Sequence, residues 1–300
     1  MHSGALVMYY MASWLLISNT ECPRFRTSLF RDINVLGVTD SMGNYMRQSF
    51  STRSRLARTV LFAMLGTLLL LAVIVGYYIN EVRVARASTP ALVQEAWKLH
   101  GRHLKHTDIS LQRRSVLLAV EDTAFFRHRG VDLDTPGAGM TTITQGLVKL
   151  LYFPDGFKQG IPKIRQTLIA QYALDALVTK EEQLDLFLNL SYFGNRDGEP
   201  IHGFANAAQG YFGKGFEALT DAEFQSLVAM LIAPNQLSPG TPAHTERMRL
   251  IDAYLSGASR PASVLDFEYT GRVRGSRAEE ALMALLRLIT DAKPVASTRQ

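Results

Sequence analysis

Cys22 is the only cysteine in 300 residues, which excludes an intrachain disulfide and any metal centre built from thiolates. The compartment stays open, because a large enough core needs no covalent staple. No internal repeat and no low-complexity segment interrupts the chain, so a solenoid or a compositionally disordered protein is excluded as well. Charge is also scarce. Charged residues make up 20%, hydrophobic ones 47%, and the net charge is +5, with a pI near 9.3. That excess suits an anionic membrane surface or a phosphorylated ligand, and equally an ordinary solvated surface. No nucleic-acid partner is expected. The length allows one substantial domain with accessory segments.

The longest stretch without charge is VLFAMLGTLLLLAVIVGYYI, Val60 to Ile79. As a helix it would reach roughly 30 Å, the thickness of a bilayer's hydrocarbon core. It is apolar on every side, which a buried helix of a soluble protein seldom is, so a transmembrane span is predicted over 59–80. Arg47, Arg53, Arg55 and Arg58 precede it, whereas Glu81, Arg83 and Arg86 follow. This asymmetry places the N-terminus inside. Met8 to Ile17 is too short for a second span, and no small-residue cleavage site marks a signal peptide.

The expected organisation is a cytoplasmic tail over 1–58, the span over 59–80 and a juxtamembrane connection with a short helix over 81–107. A helical domain over 108–258 and a C-terminal appendage over 259–300 follow. Capping boxes mark helix starts at Thr142 with Gln145, Thr179 with Glu182, Thr220 with Glu223 and Ser276 with Glu279. Leu265, Phe267 and Tyr269, alternating with Asp266 and Glu268, predict one short strand.

Three segments carry candidate chemistry. In Glu121-Asp122-Thr123-Ala124-Phe125-Phe126-Arg127-His128-Arg129-Gly130, Glu121 stands one turn before Phe125, at the rim of an apolar helix face. Partial desolvation there would raise its pKa and make it a usable general base; a solvated Glu at a helix end fits the same letters. Asp122 points elsewhere, toward backbone or a basic side chain, and His128 with Gly130 reads as a helix-end packing pair. In Thr141-Thr142-Ile143-Thr144-Gln145, a loop turns into a helix whose first N–H groups and hydroxyls suit an anion. Lys149 adds a full positive charge, and the combination points to a diphosphate, although Thr142 alone would be read as a cap. Lys163 and Arg165 open the next helix with charge of the wrong sign for its dipole, which fits anion binding as well as a solvated pair.

Further along come Leu186-Phe187-Leu188-Asn189, Tyr192-Phe193-Gly194, Ala207-Ala208-Gln209, Tyr211-Phe212-Gly213-Lys214 and Leu231-Ile232-Ala233-Pro234. In this order, behind the first two motifs, they resemble the blocks of the peptidoglycan glycosyltransferases, from about Val116 to Pro239. The resemblance implies a mainly α, lysozyme-like bilobal helical domain preceded by one transmembrane helix. It implies polymerisation of lipid II into glycan strands, with the domain outside the bacterial cytoplasmic membrane. Glu121 would then be the base on the acceptor's 4-hydroxyl. Asp122, Thr142, Gln145, Lys149, Lys163 and Arg165 would be substrate-binding residues, with undecaprenyl diphosphate leaving under inversion. Lipid II, the nascent strand, membrane lipid and other cell-wall synthesis proteins are the implied partners. No cofactor is firmly implied; family members sometimes use a divalent cation at the diphosphate, and this sequence shows no dedicated metal cage.

The sequence departs from the family pattern in three places. Only Val131 to Ala138 joins the first two motifs, where the family has a long flexible donor-holding segment. The third motif, normally Arg-Lys-x-x-Glu, falls on Lys163, Ile164 and Thr167, so its Glu is a threonine. Met140 and Gly146 replace a usual Gly and Gln. Ser-x-x-Lys and Lys-Thr-Gly are both missing, so a transpeptidase domain is not expected and a monofunctional enzyme is. A degenerate, non-catalytic scaffold or glycan-binding protein is the alternative; a muramidase-like hydrolase fits less well with the Thr-rich motif and the anchor.

Overall fold

The computed structural model describes residues 39–294 except 159, 197, 273 and 274, with side chains from Arg55 onward. Most of the expected cytoplasmic tail, Cys22 and the Arg47 and Arg53 side chains therefore lie outside the described residues. The chain divides into two units, 1–67 and 68–300. The described part of the first is helical throughout.

One helix, α1 (Thr39–His100), contains the apolar run and continues through the region where a connection with a short helix was expected. Pro90 sits inside it without ending it. Proline removes one ladder N–H; locally the Thr89 hydroxyl donates to Ala85 O at 2.7 Å and shares a 2.6 Å hydrogen bond with Tyr152 Oη. Among the described residues this is one helix long and apolar enough to cross a membrane.

The second unit is mainly helical. After a 3-10 turn at His106–Asp108 come α2 (Leu111–Glu121), α3 (Ile143–Tyr152) and α4 (Pro162–Ile169), which runs through a π turn into α5 (Asp175–Leu177). Then follow α6 (Lys180–Leu190), a hairpin of β1 (Tyr192–Arg196) and β2 (Glu199–His202), α7 (Phe204–Phe212), α8 (Asp221–Met230), α9 (Pro242–Leu255) and α10 (Arg277–Ile289). The hairpin is antiparallel and bulged between Tyr192 and Asn195. It was not anticipated, whereas the strand expected at 265–269 is a series of turns. Buried Asp266 explains the difference. Its carboxylate accepts from Ala262 N, Thr270 N and Thr270 Oγ1, closing the chain on itself instead of leaving it extended.

Three of the four expected capping boxes form in full, at Thr142, Thr220 and Ser276. At Thr179 the hydroxyl caps Glu182 N, but the Glu182 carboxylate accepts from Trp97 Nε1 of α1. The ordered blocks turn out to be architecture. Asn189 accepts from His103 N and Leu104 N and donates to Leu104 O, pinning the chain that leaves α1. Phe193, Phe204, Phe216 and Phe224 form one aromatic cluster, and Tyr211 Oη donates to Phe193 O at 2.7 Å. Such buried ring contacts stabilise by area and by edge-to-face geometry.

Candidate active site

Glu121 is the last residue of α2, whose core face buries Leu117 and Val120. Its side chain lies on the lining of a cleft of about 890 Å³ that also contains Thr141, Lys149, Phe157, Lys163 and Arg247. Water still reaches it, yet protein surrounds it on nearly every side. Burial therefore raises its pKa to about 7, with the Arg247 guanidinium pulling it down and the neighbouring Asp122 pushing it up. A carboxylate that titrates near neutrality is suited to taking a proton from a hydroxyl.

Lys163 is buried, and its Nζ donates to Thr141 Oγ1 at 3.1 Å. Lys149 places its ammonium 5.1 Å from the Phe157 ring centroid. Neither lysine has an acidic partner among the described residues. Desolvation lowers both pKa values, and the charge of Lys149 depresses Lys163 further, well below its ordinary value. Two ammonium groups held out of water beside a hydroxyl and a ring are compensated best by an anion with at least two charges. Among the described residues no group of three or more His, Cys, Asp or Glu could hold a metal ion. Lys149 and Lys163 themselves have the wrong sign to ligate a cation.

Glu121, Lys149 and Lys163 are thus brought into one cavity, whereas Asp122, Thr142, Gln145 and Arg165 lie outside its lining. Asp122 is buried; both its oxygens face His128 Nε2, at 2.8 and 3.0 Å, and Oδ2 accepts the Ile143 N–H that opens α3. Thr142 caps α3 and donates to Gly130 O, while Gln145 Oε1 accepts from Thr142 N and its Nε2 donates to Thr167 Oγ1. Thr167 in turn donates to Lys163 O at 2.7 Å. The motif residues facing away from the cleft form a closed hydrogen-bond chain that fixes α2, α3 and α4 relative to one another. Gly130, at φ +76°, joins this packing: a Cβ there would stand 2.6 Å from Ala170 O, so no other residue fits. Arg165 pairs with Glu81 of α1 and covers the Phe153 ring at 4.9 Å.

Two contributors were missed. Arg247, on α9, reads in sequence as a solvated helix charge, yet it is buried, donates to Phe267 O at 3.0 Å and stands 5.0 Å over the Tyr269 ring. Tyr269 is the one non-glycine residue with positive φ among the described residues (61°), a conformation that costs roughly 1–2 kcal/mol. Stacking on Tyr254 at 4.1 Å and a 2.9 Å bond from its hydroxyl to Val120 O hold it there, directly before Glu121 in the chain.

The Transglycosylase family profile matches residues 90–255, a span that contains Glu121, Lys149, Lys163 and Arg247. Penicillin-binding protein 1A of Neisseria gonorrhoeae is 32% identical over 155 residues, covering 47% of this chain and 18% of that protein. The Rickettsia bellii protein of the same name is 34% identical over 140 residues, 41% of this chain and 17% of the relative. That of Streptococcus oralis is 31% identical over 159 residues, 48% and 24% respectively. The chain therefore spans only about a fifth of the length of these relatives. With more than half of its own residues inside the family match, the chain belongs to the family 51 peptidoglycan transglycosylases.

Proposed function

We propose that this protein polymerises lipid II into glycan strands while anchored in the bacterial inner membrane by the apolar run of α1, with the glycosyltransferase domain on the extracytoplasmic side. Glu121 in its carboxylate form takes the proton from the acceptor sugar's 4-hydroxyl as that oxygen attacks the donor's anomeric carbon. The bond from that carbon to the diphosphate oxygen breaks, the departing prenyl diphosphate keeps the electron pair, and the new glycosidic bond forms with inversion. Lys149 and Lys163 meet the charge that builds on the leaving group, which is where fixed charges lower a barrier most. The observation that supports this reading is the single cleft joining a base of pKa about 7 to two ammonium groups that have no acidic partner among the described residues.

A specific observation favours a second reading, a lipid II- or glycan-binding scaffold without turnover. Thr167, where the family pattern has a Glu, is fully buried, and its hydroxyl is engaged by Gln145 and Lys163 O. The test is labelled lipid II with the purified full chain, unmodified and as Glu121→Gln. The first reading expects polymer from the unmodified protein and at least a hundredfold less from the variant. Binding with no polymer from either would establish the second; cleavage of finished glycan would replace both with a hydrolase.

A further inference from the structure

The family match ends at residue 255, but the cleft does not. Leu265, Phe267, Ala278, Glu279 and Leu282 line the same cavity as Glu121, Lys149 and Lys163. The segment that supplies them is fastened along the short connection between the first two motifs. Gly137 N donates to Ser263 O at 3.0 Å and Gly139 N to Val264 O at 2.8 Å. Met140 packs against Val264, Leu265 and Met283, so the methionine that departs from the family pattern is a contact to this added segment. Arg287 in the last turn of α10 pairs with Asp134, and beyond that helix Gln171 and Asp291 exchange two hydrogen bonds of 3.1 Å.

The connection and the residue after it offer the cleft little apolar surface, because lining positions 137, 138 and 139 are Gly, Ala and Gly, and Met140 is the first large apolar side chain there. The C-terminal segment supplies it instead. A Cβ built on Gly139 would lie 3.5 Å from the Phe267 ring, so this side chain covers the glycine backbone. Phe267 nevertheless keeps 37% of its surface open. We propose that the described residues between 259 and 294 form a substrate-holding wall. Leu265, Phe267 and Leu282 take the hydrocarbon that adjoins the anionic group received by Lys149 and Lys163. The ligand class is a prenyl diphosphate, its apolar part held on a C-terminal wall. This rests on the function proposed above and adds specificity-determining residues that lie outside the family match.

The experiment measures binding to the full chain by calorimetry, with geranyl diphosphate and inorganic diphosphate as probes, and polymerisation of labelled lipid II on the same preparations. The unmodified protein is expected to prefer geranyl diphosphate. Phe267→Ala and Leu282→Ala should each weaken that ligand by about tenfold and leave inorganic diphosphate unchanged, and Phe267→Leu should recover most of the loss. In turnover the alanine variants should raise KM more than they lower kcat. No preference in the unmodified protein, unchanged geranyl diphosphate binding in both variants, or equal loss of both probes would each overturn the wall. Phe267-dependent binding without polymer keeps the wall and removes the polymerase reading; polymer with variants unchanged in KM and binding does the reverse.

Discussion

Glu121 and Asp122 are neighbours with the same carboxyl group, and they stand in opposite circumstances. Asp122 faces inward, where His128 and the Ile143 N–H use both of its oxygens. Glu121 faces a cleft in which burial disfavours its charge. The contrast extends to the regions around them. The scaffold of Asp122, Thr142, Gln145 and Thr167 is a closed chain of donors and acceptors, while Lys149 and Lys163 in the cleft carry charge with no acidic partner among the described residues. A satisfied polar network stabilises and rigidifies; an unsatisfied one costs stability and keeps binding capacity for a ligand. One motif can thus supply both, residue by residue.

The largest effect should come from breaking the scaffold. Asp122→Ala leaves two buried donors, His128 Nε2 and Ile143 N, without their acceptor, and among the described residues His128 Nδ1 already has no partner. The expected loss is about 3–5 kcal/mol, read from chemical unfolding. A loss below about 1 kcal/mol would mean that the scaffold is no more committed than the cleft.

Glu121→Gln should act in the other direction. Because the folded state raises the Glu121 pKa to about 7, the stability it contributes is complete below the ordinary carboxylate value and fades as pH rises through 7. The variant, which has no charge to form, should therefore be more stable than the unmodified protein above pH 7, by up to about 3 kcal/mol, and indistinguishable near pH 4. Activity has the opposite slope, since the base works only when deprotonated: turnover should rise with pH through about 7. Unfolding midpoints that stay parallel from pH 4 to 8 would place Glu121 among the satisfied groups.

Much of this division was legible beforehand, and the missing parts have a common cause. Glu121 at the end of an apolar helix face and Thr142 with Gln145 at the start of another are local patterns, visible within one or two turns. Asp122 was expected to point toward backbone or a basic side chain, and it meets the Ile143 N–H and His128; the substrate-binding role implied by the resemblance is not reflected in the cleft lining, which lacks it. What local pattern could not show was anything fixed by distant partners. Arg247 sits on α9 with charged neighbours and reads as solvated until Phe267 O and the Tyr269 ring are found above it. Leu265, Phe267 and Tyr269 alternate as in a strand, but the alternation comes from the turns around Asp266, whose acceptors bind backbone on both sides. The segment after 258 was read as an appendage for the same reason. Its Tyr269, Leu286 and Ala292 belong to the main core, through contacts more than a hundred residues apart in the chain.

Thr167→Val sharpens the boundary between the two regions at the position where the family pattern would have put a carboxylate. Valine keeps the volume and removes the hydroxyl, so Gln145 Nε2 loses its acceptor in a fully buried site. A loss of about 1–3 kcal/mol is expected in unfolding experiments. Retention of full stability would indicate that the threonine hydroxyl is dispensable to the scaffold and that its role, if it has one, lies with substrate.

The smallest effect is expected at Gly146, on α3 between scaffold and cleft. The residue is helical, its N–H donates to Thr142 O at 2.8 Å, and its φ is not among the positive ones. A Cβ there would meet nothing within 4 Å. Glycine in such a place weakens a helix because the unfolded chain has more freedom to lose. Gly146→Ala should therefore stabilise by about 0.5–1 kcal/mol. It should not disturb the capping box, since Thr142 and Gln145 bond through atoms on the buried side of the turn. A gain in unfolding free energy with unchanged polymer yield would put Gly146 outside both regions, in a gap that neither the hydrogen-bond chain nor the ligand uses. A loss of polymer with the same gain would extend the cleft's functional surface onto this turn of α3, and move the dividing line by one residue toward the scaffold.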